Sequence, residues 1–149
     1  MQTFGFEQMF RTMLSAGSRT PASRTVEVFG WLILAEGMLE LLAPHLAASI
    51  LGLPPLVEQA ANYYRLVGLL TGGLGMLYVT SGRLGSDAFV FVSMLDRPLV
   101  PFVMAGLLYF KLIPWQLAVA FSIQDFGSFL WTLFTWRAAR RAYSLEAHV

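Results

Sequence analysis

Four apolar segments, at residues 26–43, 58–81, 88–112 and 114–137, decide what this chain can fold into. Each approaches the length of about 20 residues that a helix needs to cross roughly 30 Å of hydrocarbon, at about 1.5 Å per residue. Composition points the same way. Charged residues make up 13% of the chain and hydrophobic ones 56%, where a soluble domain carries roughly a quarter charged. The mean hydropathy is +0.61. The expected fold is all-α, an integral membrane four-helix bundle in contact with the lipid bilayer.

The chain outside these segments is shorter and more polar. In residues 1–17, Phe6, Phe10, Met13 and Leu14 share one helical face, with Glu7, Gln8, Arg11 and Thr12 mostly elsewhere. That spacing predicts an amphipathic helix lying in the membrane interface and too short to span. Residues 15–25 are rich in Ser, Thr, Gly and Pro and read as a polar linker. The expected divisions are an interfacial segment and linker at 1–25, a four-span domain at 26–137 and a cytoplasmic tail at 138–149. Between the first two spans, Leu46, Ile50 and Leu53 recur at helical spacing before Pro54 and Pro55. This piece is expected to lie along the outer interface. The first 24 residues lack the apolar core and cleavage site of a secretory signal, so no removal is expected.

Basic residues set the orientation. Arg11, Arg19, Arg24, Arg83, Arg137, Arg140 and Arg141 fall on one side of the four spans, and only Lys111 lies in a loop on the other. Cytoplasmic loops carry the excess of Lys and Arg. Both termini are therefore expected in the cytoplasm. Trp115, Tyr78, Trp136 and Tyr143 fall near predicted ends, as interfacial aromatics do. Trp31 and Trp131 lie deeper and are expected to pack inside.

Six charges fall well inside the spans, away from their ends: Glu36, Glu40, Arg65, Asp96, Arg97 and Asp125. At about 2.5 to 3.5 kcal/mol each near a helix centre, they would cost on the order of 15 to 20 kcal/mol if left bare. They must be paired, protonated or hydrated. Counting residues inward from each end puts Glu36, Asp96, Arg97 and Asp125 near the midplane, where they are expected to form a polar centre. Arg97 is expected to reach Asp125 or Glu36, and Glu40 to form a structural ion pair with Arg65, which by count is level with Glu36. Glu36 and Glu40 are four apart and share a helix face. Pro98 and Pro101 cannot donate to the carbonyls of Met94 and Arg97, so the third span is expected to kink there.

Gly68, Gly72 and Gly75 in the second span read as a helix-packing face, since small residues let helices approach closely in lipid. They are no phosphate loop, because no Lys-Ser or Lys-Thr follows. Several chemistries are excluded. There is no cysteine for thiolate or iron–sulfur chemistry. His45 and His148 lie at the margins, which argues against haem or a Ser-His-Asp arrangement in the bundle. No Glu-x-x-His occurs for a carboxylate metal centre. Neither a metal nor a cofactor is expected. A net charge of +1 with no basic stripe excludes nucleic acid as a partner.

Tyr64-Arg65-Leu66-Val67-Gly68, the stretch Gly72 to Tyr78, the motif Asp96-Arg97-Pro98 and Asp125 together resemble the BphX-like small bacterial membrane proteins, within the broader DoxX-like four-helix group. The resemblance covers residues 26–137 and implies a four-helix membrane fold. Some members of the wider group are subunits of quinone-linked oxidoreductases, which implies a subunit role here. The leading expectation is thus a non-catalytic accessory or structural subunit of a larger bacterial membrane complex, touching other membrane subunits or its own copies. One alternative is a binding or transport module for a small hydrophobic ligand, quinone-like or aromatic, held at the midplane polar centre. The other is a small membrane isomerase using Asp96, Glu36 or Asp125 as acid and base.

Overall fold

The structure is a computed structural model and describes residues 5–15 and 19–146. Among these it is all-helical, with no strand. The order is α1 (Phe6–Ser15), α2 (Pro21–Leu42), α3 (Pro44–Ile50), α4 (Glu58–Arg83), α5 (Asp87–Asp96), a 3-10 turn (Arg97–Leu99), α6 (Val100–Tyr109) and α7 (Trp115–Glu146). His148 lies outside the described residues, and so do the side chains of Phe6, Thr12 and Tyr143.

Local chemistry marks the boundaries. Thr20 caps α2 by accepting from the Ser23 amide at 3.1 Å, with Pro21 at the first helical position. That is where a missing N–H costs nothing. Ser86 caps α5 in the same way. Pro44 cannot extend α2 and instead begins α3. Gly85, at a φ of 64°, turns the chain between α4 and α5. Lys111 takes the left-handed position after α6, where the Leu112 amide reaches back to the Leu107 carbonyl at 2.9 Å.

The two prolines interrupt the third apolar segment as expected, but the Arg97 carbonyl is not left free. Val100 donates its amide to it, which closes the 3-10 turn.

The closest packing in the chain is between α2 and α4, which run antiparallel with backbone against backbone. A Cβ added at Gly30 would lie 2.5 Å from the Val79 nitrogen, and one at Gly37 2.2 Å from the Gly72 nitrogen. At Gly68, Gly75 and Gly82 it would fall 2.5, 2.5 and 2.6 Å from the nitrogens of Leu41, Leu34 and Glu27. Glycine thus recurs every seven residues on both helices, two turns apart and on one face. Gly68 and Gly75 pack as the sequence suggested, and the face they form is used within the chain itself.

Toward the end that carries Arg19 and Arg83, Val26, Phe29, Ile33, Tyr78, Val90 and Met94 form a buried cluster. Phe89, Phe129, Leu133 and Trp136 pack on it. Tyr78 stands edge-on to both Phe29 and Phe89, with centroids 5.5 and 4.9 Å apart. Tyr78 is therefore core and not an interfacial aromatic, because the register of α4 on α2 turns it inward. Trp31 and Trp131 are corrected the other way. Both are about half exposed, and Trp31 lies under the Arg83 guanidinium at 5.6 Å.

Two helical stretches, Asp87–Tyr109 and Trp115–Ala142, are long and apolar enough to cross a membrane, and little of either is buried within the chain. The other two expected spans, α2 and α4, have the length but not the same apolar character. Glu27, Glu36 and Glu40 interrupt α2, and glycines, Asn62 and Arg65 dilute α4.

Candidate functional site

The long helix α7 carries a polar stripe, Gln124, Ser128 and Thr132, spaced by four and so on one face. Two polar clusters are built on that stripe from opposite ends.

The first surrounds Arg97. The 3-10 turn carries its side chain into the interior, where it is 0% exposed. Nη1 donates to Thr132 Oγ1 at 3.1 Å, and Thr132 Oγ1 lies 2.8 Å from the hydroxyl of Thr25 on α2. The guanidinium lies over Phe29 at 4.1 Å and Tyr78 at 5.0 Å. These rings take the place of a counter-ion, since a desolvated cation over an aromatic face gains about 2 kcal/mol. Nε and Nη2 have no hydrogen-bond partner. The expected ion pair with Asp125 or Glu36 does not form. Among the described residues no carboxylate lies within 4.0 Å of Arg97.

Asp125 is nonetheless the junction of the four residues expected at the midplane. It is half-buried on α7, with Arg97, Asp96 and Glu36 all within its electrostatic range. Asp96 departs from the expected cluster. It precedes Arg97 by one residue, hence by about 100° around the axis, and while Arg97 points inward Asp96 is exposed. The three carboxylates suggested as acid and base therefore do not converge on one enclosed space.

The second cluster sits at the other end of the stripe. Gln124 Nε2 donates to Glu36 Oε2 at 2.8 Å, tying α7 to α2. One turn further along α2, Glu40 is 7% exposed, with Oε2 buried and without a hydrogen-bond partner. The Thr71 hydroxyl and the Tyr64 ring flank it from α4. Both glutamates line a cavity of about 130 Å³ between α2, α3 and α7.

Arg65 is not the partner of Glu40. It is exposed and donates to Asn62 Oδ1 at 2.9 Å. Register explains the difference. Leu41 faces Gly68, so Arg65 falls opposite Pro44, about one turn beyond Glu40 and not level with Glu36. The α4 face turned toward Glu40 belongs to Tyr64, about 100° away from Arg65.

The sequence reading missed Gln124, Thr132 and Glu27. The first two were legible as the four-residue stripe in an apolar helix. Glu27 takes both Arg19 and Arg83, the latter at 3.0 Å, and its side chain is 8% exposed. A lone acid at the start of α2, among arginines assigned to the same side, was the available signal. Among the described residues no group of three or more His, Cys, Asp or Glu is placed to hold a metal ion.

Compared with known proteins, the chain matches no family model, no curated protein and no solved structure.

Proposed function

We propose that this chain is a multi-pass protein of the bacterial inner membrane, crossing it four times with both termini in the cytoplasm. It serves as a non-catalytic accessory subunit of a larger membrane complex. Support for the membrane comes from the two long apolar helices and from the surface they leave uncovered. Leu69, Leu70 and Leu77 on α4, Phe102 on α6 and Ile123 and Phe134 on α7 are all more than half exposed. Arg19 and Arg83 meet at one end on Glu27, while Lys111 lies in the loop at the other. Reporter fusions after residue 149 and near residue 112 are expected to give opposite signals, and matching signals would discard the four-span topology.

Asp96 is the observation that carries the subunit reading. It stands exposed in the middle of Asp87–Tyr109, on one of the two most apolar stretches of the chain. Facing lipid it would cost about 2.5 to 3.5 kcal/mol, and a neighbouring helix that offers it a hydrogen-bond donor removes that cost. In mild detergent the wild-type chain is expected to purify in an assembly larger than the monomer. Asp96→Leu should release a folded monomer, because the side chain is exposed and, among the described residues, makes no hydrogen bond or ion pair within the chain's own core. A wild-type monomer, or an assembly untouched by Asp96→Leu, would remove the reading. The resemblance of the Asp96-Arg97-Pro98 motif to a group with oxidoreductase subunits favours the same role.

A further inference from the structure

The cavity between α2, α3 and α7 plays no part in the subunit reading, which rests on the outer face of α5. Its chemistry is unusually one-sided. Two carboxylates, Glu36 and Glu40, line it together with Gln124, and no Lys, Arg or His does. The Gln124 amide already donates to Glu36, whereas Glu40 Oε2 is buried without a hydrogen-bond partner and its carboxyl has only the Thr71 hydroxyl beside it. Such an oxygen is costly to leave unmatched, and two acids one turn apart on the same face repel each other. A cation in the cavity would relieve both. The remaining walls are apolar: Leu39, Ala47, Ile50, Leu51, Ala120 and Phe121.

We propose that this cavity is a binding site for a small organic cation, a protonated amine carrying an apolar body. The ammonium group sits between Glu36 and Glu40, and the hydrocarbon part packs on Leu39, Leu51 and Phe121. Size supports that class. The cavity volume of about 130 Å³ is close to the roughly 150 Å³ that accommodates benzene. A bare metal ion fits the donor set poorly. Calcium takes 6 to 8 oxygen ligands, and here two carboxylates and one amide stand among aliphatic walls. Ile50, 67% exposed on α3, marks the mouth.

The test uses the full chain purified in mild detergent, with benzylamine as the probe and benzyl alcohol as its neutral analogue, read by calorimetry and thermal shift. Wild-type protein is expected to bind benzylamine about tenfold or more tightly than benzyl alcohol, since a hydrogen bond to a charged group is worth that much. Glu40→Gln should abolish the preference, chiefly by weakening benzylamine. Equal affinity for the two probes overturns the proposal, as does a preference that survives Glu40→Gln. Stabilisation by calcium chloride equal to that by the amine also overturns it. Should Glu40→Gln fail to fold, Ile50→Trp fills the mouth and leaves both carboxylates in place. Loss of benzylamine binding in that variant supports the site, and persistence of binding places the amine elsewhere. Neither result depends on whether the chain joins an assembly.

Discussion

Gly37→Ala is expected to destabilise the chain by about 3 kcal/mol or more, at the upper end of what overpacking costs. Gly72→Ala, at the residue directly opposite, is expected to be neutral or mildly stabilising. The asymmetry follows from where each new methyl group would go. From Gly37 it meets backbone, 2.2 Å from the Gly72 nitrogen and 2.6 Å from its Cα. No rotamer change relieves such a contact, so α2 and α4 must separate along their length. From Gly72 the nearest atoms are 4.0 Å away, which is ordinary contact. There the helix preference for alanine over glycine, about 1 kcal/mol, is free to act. Gly73→Ala, with nothing within 4 Å, is the control for that gain. Unfolding of the three variants in detergent, followed by helical circular dichroism, checks the order. A Gly37→Ala protein as stable as wild type would mean that the two helices are not in backbone contact.

Arg97→Ala is expected to cost about 3 to 5 kcal/mol, in the range measured when a large, fully buried side chain is cut back to alanine. The loss has several parts: the bond to Thr132, the stacking on Phe29 and Tyr78, and the volume of a fully buried side chain. Asp125 also loses the cation within its electrostatic range. Arg97→Lys keeps the charge but not the planar group that lies on the two rings, and should recover less than half of the loss. Thr132→Val should cost only about 1 to 2 kcal/mol, because it removes one acceptor and leaves the rings in place. Thermal unfolding of the three variants checks the ranking. If Arg97→Lys matches wild type, the aromatic stacking contributes little and charge alone matters.

The helices were largely legible in the sequence because their signals are local. Pro44 and the Pro98 and Pro101 pair each set a boundary within a residue or two of where it was read, whereas α2 begins at Pro21, five residues before the expected 26, because Thr20 and Pro21 start a helix inside what read as a polar linker. Pairing was harder, because it depends on register, which residue counting fixes only to about a turn. Arg65 was placed level with Glu36 on an assumed start for each span, and the observed register moves it past the end of α2. Rotation was the other missing quantity. Asp96 and Arg97 differ by one residue, and depth alone could not say which faces inward. Tyr78 and Trp31 exchanged their expected environments for the same reason. Glu36 and Glu40 were correctly put on one inward face, since a four-residue spacing needs no knowledge of register. The membrane expectation came from composition and the apolar segments, the BphX-like resemblance carried no residue role, and the cavity beside Glu40 depends on α3, which the sequence placed only along an interface.

The glycine seam between α2 and α4 also bears on how the chain is made. In the proposed four-span arrangement these are the two helices that do not qualify as spanning segments on their own, and each is a poor candidate to leave the insertion machinery alone with its glutamates or its Arg65 exposed. The backbone contact, the short α3 connection and the Glu27 clasp on Arg83 all join α2 to α4 before any later helix is needed. Delivery as a preassembled hairpin, after which Asp87–Tyr109 and Trp115–Ala142 partition one at a time on their own hydropathy, is the order of biogenesis that this division of labour favours.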